Sequence, residues 1–120
     1  MPAAESAPSF SPWRDADAPC APGELPAGPA VVQVKLAAGL VDYPEGRSAM
    51  VLYLWTADLA AFPAEGLPAV RARAETAGLG AALRFRFCAD PDPARATAAL
   101  LARFHARFGA TPRLNAPKAT

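Results

Sequence analysis

Side chains able to do chemistry are thinly spread along this chain. His105 is the only histidine, and no second metal ligand or nucleophile stands at a useful spacing from it. The two cysteines, Cys20 and Cys88, lie far apart and cannot by themselves build a four-ligand metal site. No Gly-x-Ser-x-Gly turn offers a serine nucleophile. Gly78-Leu79-Gly80 follows a helical stretch, whereas a dinucleotide-binding glycine loop precedes one. Asp90 and Asp92 flank Pro91, but Asp92 is placed to cap a helix. The residual catalytic candidates are Tyr53, His105 and Asn115, with no metal site and no cofactor expected.

Arginine is the one chemically rich residue that recurs with a period. Arg84 and Arg86 alternate with apolar residues, and Arg95, Arg103 and Arg107 lie at multiples of four. Guanidinium groups presented this way suit phosphate contacts with nucleic acid, so Arg84, Arg86, Arg103 and Arg107 are the candidate ligand-binding residues. A competing explanation lies in composition. Ten arginines against two lysines, with abundant Ala, Pro and Gly, are what the coding bias of a GC-rich bacterial genome produces. Net charge is only +1, so no global field draws in nucleic acid or an anionic membrane. The charge is uneven, however: residues 1–29 carry a balance of −3 and residues 50–120 a balance of +4. A modest basic face with an acidic leader follows.

The elements that must position these residues are legible. A chain of 120 residues is one small domain. Met50–Trp55 is the longest unbroken apolar run, and it predicts a strand buried on both faces at the centre of the sheet. Val31–Leu36 alternates, with Gln33 and Lys35 on the polar side, and predicts a half-buried first strand. The two are expected to pair antiparallel through a wide loop containing the turn Pro44-Glu45-Gly46. A helix is predicted from about Pro68 to Ala77, with Leu67, Val70 and Ala74 turned to the sheet. Leu83–Cys88 is a second alternating strand, placing Leu83, Phe85 and Phe87 on one face and Arg84, Arg86 and Cys88 on the other. The last helix opens at Asp92-Pro93 and stops at Gly109, with Leu100 or Leu101, Phe104 and Phe108 as its buried stripe. The expected fold is α+β, a three-stranded, mostly antiparallel sheet with two helices in the order β-β-α-β-α.

Residues 1–29 hold seven of the fourteen prolines and predict a disordered, flexible leader ahead of a domain spanning 30–115, with 116–120 as a tail. Phe10 and Trp13 are the leader's only aromatic side chains; they either dock onto the domain or serve as a recognition motif. The N-terminus lacks the charged and apolar regions of a signal peptide, and no run approaches a membrane span. A cytoplasmic protein with reduced thiols and no membrane partner is expected.

The run Val51-Leu52-Tyr53-Leu54-Trp55, followed by Thr56-Ala57-Asp58-Leu59, resembles the second-strand signature of GIY-YIG nuclease domains. Leu100–Phe108 followed by Pro112-Arg113-Leu114-Asn115 is similar to the last helix and closing asparagine of those domains. The resemblance spans about residues 28–115 and includes the same β-β-α-β-α order. It implies a scaffold built for metal-assisted phosphodiester cleavage. Yet the family's first tyrosine falls near Val32, a glycine is replaced by Trp55, and the helical arginine falls at Ala60–Ala61, with Arg71 or Arg73 as substitutes. The metal-binding glutamate falls near Thr97–Ala99, where there is no carboxylate. The resemblance therefore implies a degenerate, inactive relative, a pseudoenzyme. The expected function is a non-catalytic binding or interaction domain with a modest basic face, its partner a protein or nucleic acid. The alternative is a residual metal-dependent nuclease. Trp55 and Phe62 are candidate exposed anchors for a protein partner.

Overall fold

The computed structural model describes residues 9–21, 23–80 and 82–115. Its elements in chain order are β1 (Arg14–Asp15), β2 (Ala30–Leu36), β3 (Val41–Tyr43), β4 (Gly46–Ser48), β5 (Met50–Thr56), α1 (Phe62–Glu65), α2 (Leu67–Thr76), β6 (Leu83–Ala89) and α3 (Pro93–Phe108). The class is α+β, as expected. The sheet is not three-stranded: four antiparallel strands run in the order β1-β6-β2-β5, and β3 and β4 form a separate two-stranded hairpin. Among the described residues three α-helices are present instead of two. The additional α1 follows a 3-10 turn, Leu59–Ala61, and takes Pro63 into its first turn, where a missing N–H costs nothing.

The centre of the sheet is β2, not the apolar run of β5. Gln33 stands opposite both Tyr53 on β5 and Arg86 on β6, and Ala30–Lys35 are all flanked on both sides. The alternation in β2 points to a solvated face, but Gln33 is only 3 % exposed, because strands on both sides and layers above and below enclose it. β5 lies at the sheet edge. Its apolar character reflects packing on both faces, which does not require a partner strand on both sides.

Cross-strand partners share a face, so register sorts the side chains into two layers. One face carries Val32, Val34, Leu52, Leu83, Phe85 and Phe87. α1 and α2 belong to this core, with Phe62 edge-on to Phe85 at 5.8 Å between centroids and Leu67, Val70 and Ala74 buried as predicted. The opposite face carries Val31, Gln33, Lys35, Tyr53, Arg84 and Arg86. α3 covers its β5 side: Phe104 meets Tyr53 at 5.9 Å and Tyr43 of the hairpin at 5.0 Å, and stacks on Phe108 at 4.5 Å. Burying such an aromatic contributes roughly 1.5–3 kcal/mol. α3 starts and stops where the sequence places it: the Asp92 carboxylate accepts from Arg95 N, and Gly109 closes the helix at φ 79°.

The leader departs furthest from expectation. Its described part belongs to the fold: β1 pairs with β6, and Ala16 and Leu25 are buried in the core. Ser11 N donates to Phe87 O at 2.8 Å, and Ser11 Oγ accepts from Phe87 N at 3.1 Å. A proline-rich segment suits an edge position, since proline is tolerated where one side of the ladder is free. The remaining leader residues, 1–8 and 22, and the tail 116–120 lie outside the described residues.

Candidate functional site

The arginines predicted on β6 do reach one face, in two rows crossing the sheet. In the first row Asp15, Arg84 and Lys35 stand opposite one another on β1, β6 and β2. Two like charges side by side would repel, and the Asp15 carboxylate offsets this by accepting from Arg84 Nε at 3.1 Å. In the second row Arg86, Gln33 and Tyr53 are neighbours on β6, β2 and β5. Arg86 Nε donates to Gln33 Oε1 at 2.7 Å. The leader closes over both rows. Trp13 lies 4.3 Å from Lys35 Nζ and 4.5 Å from the Arg86 guanidinium, and Phe10 lies 4.8 Å from the same guanidinium. Phe10 and Trp13 thus dock in cis, one of the two roles foreseen for them.

Desolvation sets the electrostatics of the row. Burial lowers the Arg86 pKa from its ordinary value, against the pull of Tyr53, while the group stays a cation at physiological pH. Burial pushes the Tyr53 phenol upward; Arg86 draws it down, Tyr43 raises it and Arg103 draws it down. A buried phenol raised in this way is a poor proton acceptor near neutrality.

The other catalytic candidates are structurally engaged or solitary. Asn115 spends its side-chain amide on the edge strand: Oδ1 accepts from Tyr53 N and Nδ2 donates to Tyr53 O, both at 2.9 Å. It mimics a neighbouring strand and so covers the free edge of β5. His105 is exposed on α3. Of the two arginines considered as substitutes, Arg71 pairs with Asp17 and Arg73 donates to Leu114 O. Among the described residues no three His, Cys, Asp or Glu side chains gather closely enough to hold a metal ion. Thr97, in the helix position implied for a metal ligand, is buried with its hydroxyl directed at Leu54 O, 3.5 Å away. Cys20 and Cys88 are both free thiols, and burial raises the Cys88 thiol, with Asp90 adding to the rise and a backbone hydrogen bond from Ser9 opposing it.

Arg95, Arg103 and Arg107 are exposed on α3 and have no acidic partner among the described residues. Arg107 lies 5.2 Å over the Phe108 ring. Trp55 is 50 % exposed, at the end of β5 on the face that α3 covers, whereas Phe62 is buried and corrects its expected role as an exposed anchor. The four candidate arginines are thus divided: Arg84 and Arg86 are engaged beneath or beside the leader, and Arg103 and Arg107 are free. Sequence periodicity found the α3 stripe. Lys35 and Gln33, which complete the sheet rows, were missed as site residues because their pairing depends on long-range register. No helix of the described residues is long and apolar enough to cross a membrane. The chain matches no protein-family model, no curated protein and no solved structure.

Proposed function

We propose that this chain is a non-catalytic binding domain that holds a nucleic-acid backbone against the outer face of α3, on a scaffold resembling a GIY-YIG domain that has lost its catalytic groups. The observation that carries the proposal is the stripe Arg95, Arg103 and Arg107 on one exposed helix face, without acidic partners among the described residues. Three guanidinium groups without acidic partners bind phosphates at little desolvation cost and release counterions on doing so. The scaffold reading gains support from the contact between Tyr53 and Asn115, two residues on which the resemblance rests. The nuclease alternative is disfavoured because the Tyr53 ring is buried, the Asn115 amide is engaged and no carboxylate stands at Thr97–Ala99.

Fluorescence anisotropy with labelled single- and double-stranded DNA and RNA at low salt tests the proposal. Binding should weaken as salt rises, and each of Arg95→Ala, Arg103→Ala and Arg107→Ala should flatten the salt slope by about 0.7–0.9. A chain that binds none of these nucleic acids at 50 mM salt, a condition where phosphate contacts are strong, would overturn it. A protein-interaction role is the second reading, favoured by the exposed Trp55. Binding that Trp55→Ala removes from a protein partner, with nucleic acid ignored, would establish that role instead.

A further inference from the structure

We infer that residues 10–15 of the leader cover, in cis, the cations on the sheet face beside α3, and that single-stranded nucleic acid takes their place when the segment lifts. The inference rests on the proposed function and extends it from the helix to the sheet.

Three observations carry it. First, Lys35, Arg84 and Arg86 lie on one sheet face, and α3 packs on the same face, with Phe104 against Tyr53 at 5.9 Å. The covered cations of the sheet and the exposed arginines of α3 therefore belong to the same side of the sheet.

Second, the leader contacts that surface with the chemistry of a nucleotide strand. A carboxylate pairs with Arg84, where a phosphate would, and two aromatic planes stack on Arg86 and Lys35, where bases would. Duplex nucleic acid cannot reproduce this, because its bases are already stacked on one another. A single strand can.

Third, the covering segment pairs with the sheet over a short stretch only and is anchored behind. Ser11 makes two hydrogen bonds to Phe87, and β1 has only two residues. Immediately after it Ala16 is buried, with its N–H donating to Leu83 O at 2.9 Å. Lifting residues 10–15 therefore uncovers cations and leaves the core closed. The pairing of Asp17 with Arg71 of α2 fastens the adjoining chain to the domain, whereas the salt bridge Arg14–Glu24 belongs to the covering segment and breaks when it lifts.

The test uses the full chain, labelled oligo(dT), and anisotropy over a range of salt. With only the α3 stripe engaged, the wild type should show a slope of log K against log salt of about −2, and an opened surface about −4, from roughly 0.7 per phosphate contact. The variant Phe10→Ala/Trp13→Ala should steepen the slope toward the second value and bind at least tenfold tighter at low salt. Asp15→Asn is a second, structurally mild probe, because the Asp15 side chain is 62 % exposed; freeing Arg84 alone, it should steepen the slope by about 0.7, one phosphate contact. Far-UV circular dichroism identifies a double variant that has unfolded, in which case Asp15→Asn alone decides. Wild-type binding with slopes unchanged in the variants would overturn this inference and leave the proposed function standing. Absence of oligonucleotide binding in every form would overturn both. If the opened variant binds a peptide copy of residues 9–15 but no oligonucleotide, the surface is a peptide groove and the inference fails.

Discussion

Asn115 offers the sharpest test of how this fold is closed. Its amide makes two 2.9 Å hydrogen bonds to the backbone of Tyr53, across 62 residues of sequence, and so substitutes for a strand at the β5 edge. Asn115→Ala removes both. At a net 0.5–1.5 kcal/mol each the loss is roughly 1–3 kcal/mol, which at about 4 °C per kcal/mol for a domain of this size lowers Tm by about 4–12 °C. Asn115→Asp refines the test, because it keeps the acceptor for Tyr53 N but turns a carboxylate oxygen toward Tyr53 O. Near pH 7 it should cost at least as much as the alanine variant. The carboxyl prefers its protonated form there, so its folded pKa lies above the unfolded value of about 3.9. The penalty is consequently absent below that value and grows as pH rises through the folded pKa. Thermal melts of wild type and both variants at pH 4 and pH 7 read this directly. If both variants melt within a degree of wild type, or the aspartate penalty does not shrink on acidification, Asn115 does not hold the edge.

Three further outcomes follow from the same geometry. Gln33→Leu leaves the Arg86 guanidinium without its acceptor in a partly buried site and should cost about 1–3 kcal/mol in a denaturant melt; adding Arg86→Leu should recover part of that loss, and a purely additive double variant would dissociate the pair. Tyr43 and Tyr53 are the only tyrosines, and burial raises both, so absorbance at 295 nm should show both phenols ionising later in the folded chain than in guanidinium, where they titrate near pH 10. Their contribution to stability is present below that pH and lost as pH rises through the folded values; a phenol ionising below pH 10 in the folded chain contradicts the burial argument. Gly66→Ala places a Cβ 2.6 Å from Cδ1 of Phe62, a ring held against Phe85 in the core, and should cost about 1–3 kcal/mol by overpacking. A neutral melt would show that the ring can shift.

Local chemistry fixed much of this protein. Asp92, Pro93 and Gly109 bound α3 because a cap, a first-turn proline and a left-handed glycine each act within a few residues, and Leu67, Val70 and Ala74 face the core because helical spacing alone aligns them. The alternation in β6 correctly put Arg84 and Arg86 on one face, since side chains in a strand must alternate. The identity of the central strand was beyond the sequence. An apolar run signals enclosure, and β5 is enclosed by helical layers and an asparagine side chain while standing at an edge; β2, with Gln33 and Lys35, looked half-solvated until strands on both sides and a leader above enclosed it. The same limit governs the candidate site. Periodicity displayed the arginines, whereas their division into a free stripe on α3 and a set covered by Phe10, Trp13 and Asp15 depends on contacts between residues up to 76 positions apart, such as Ser11 with Phe87. Such contacts come from strand register, which is set by how the whole chain packs and by no short stretch of it.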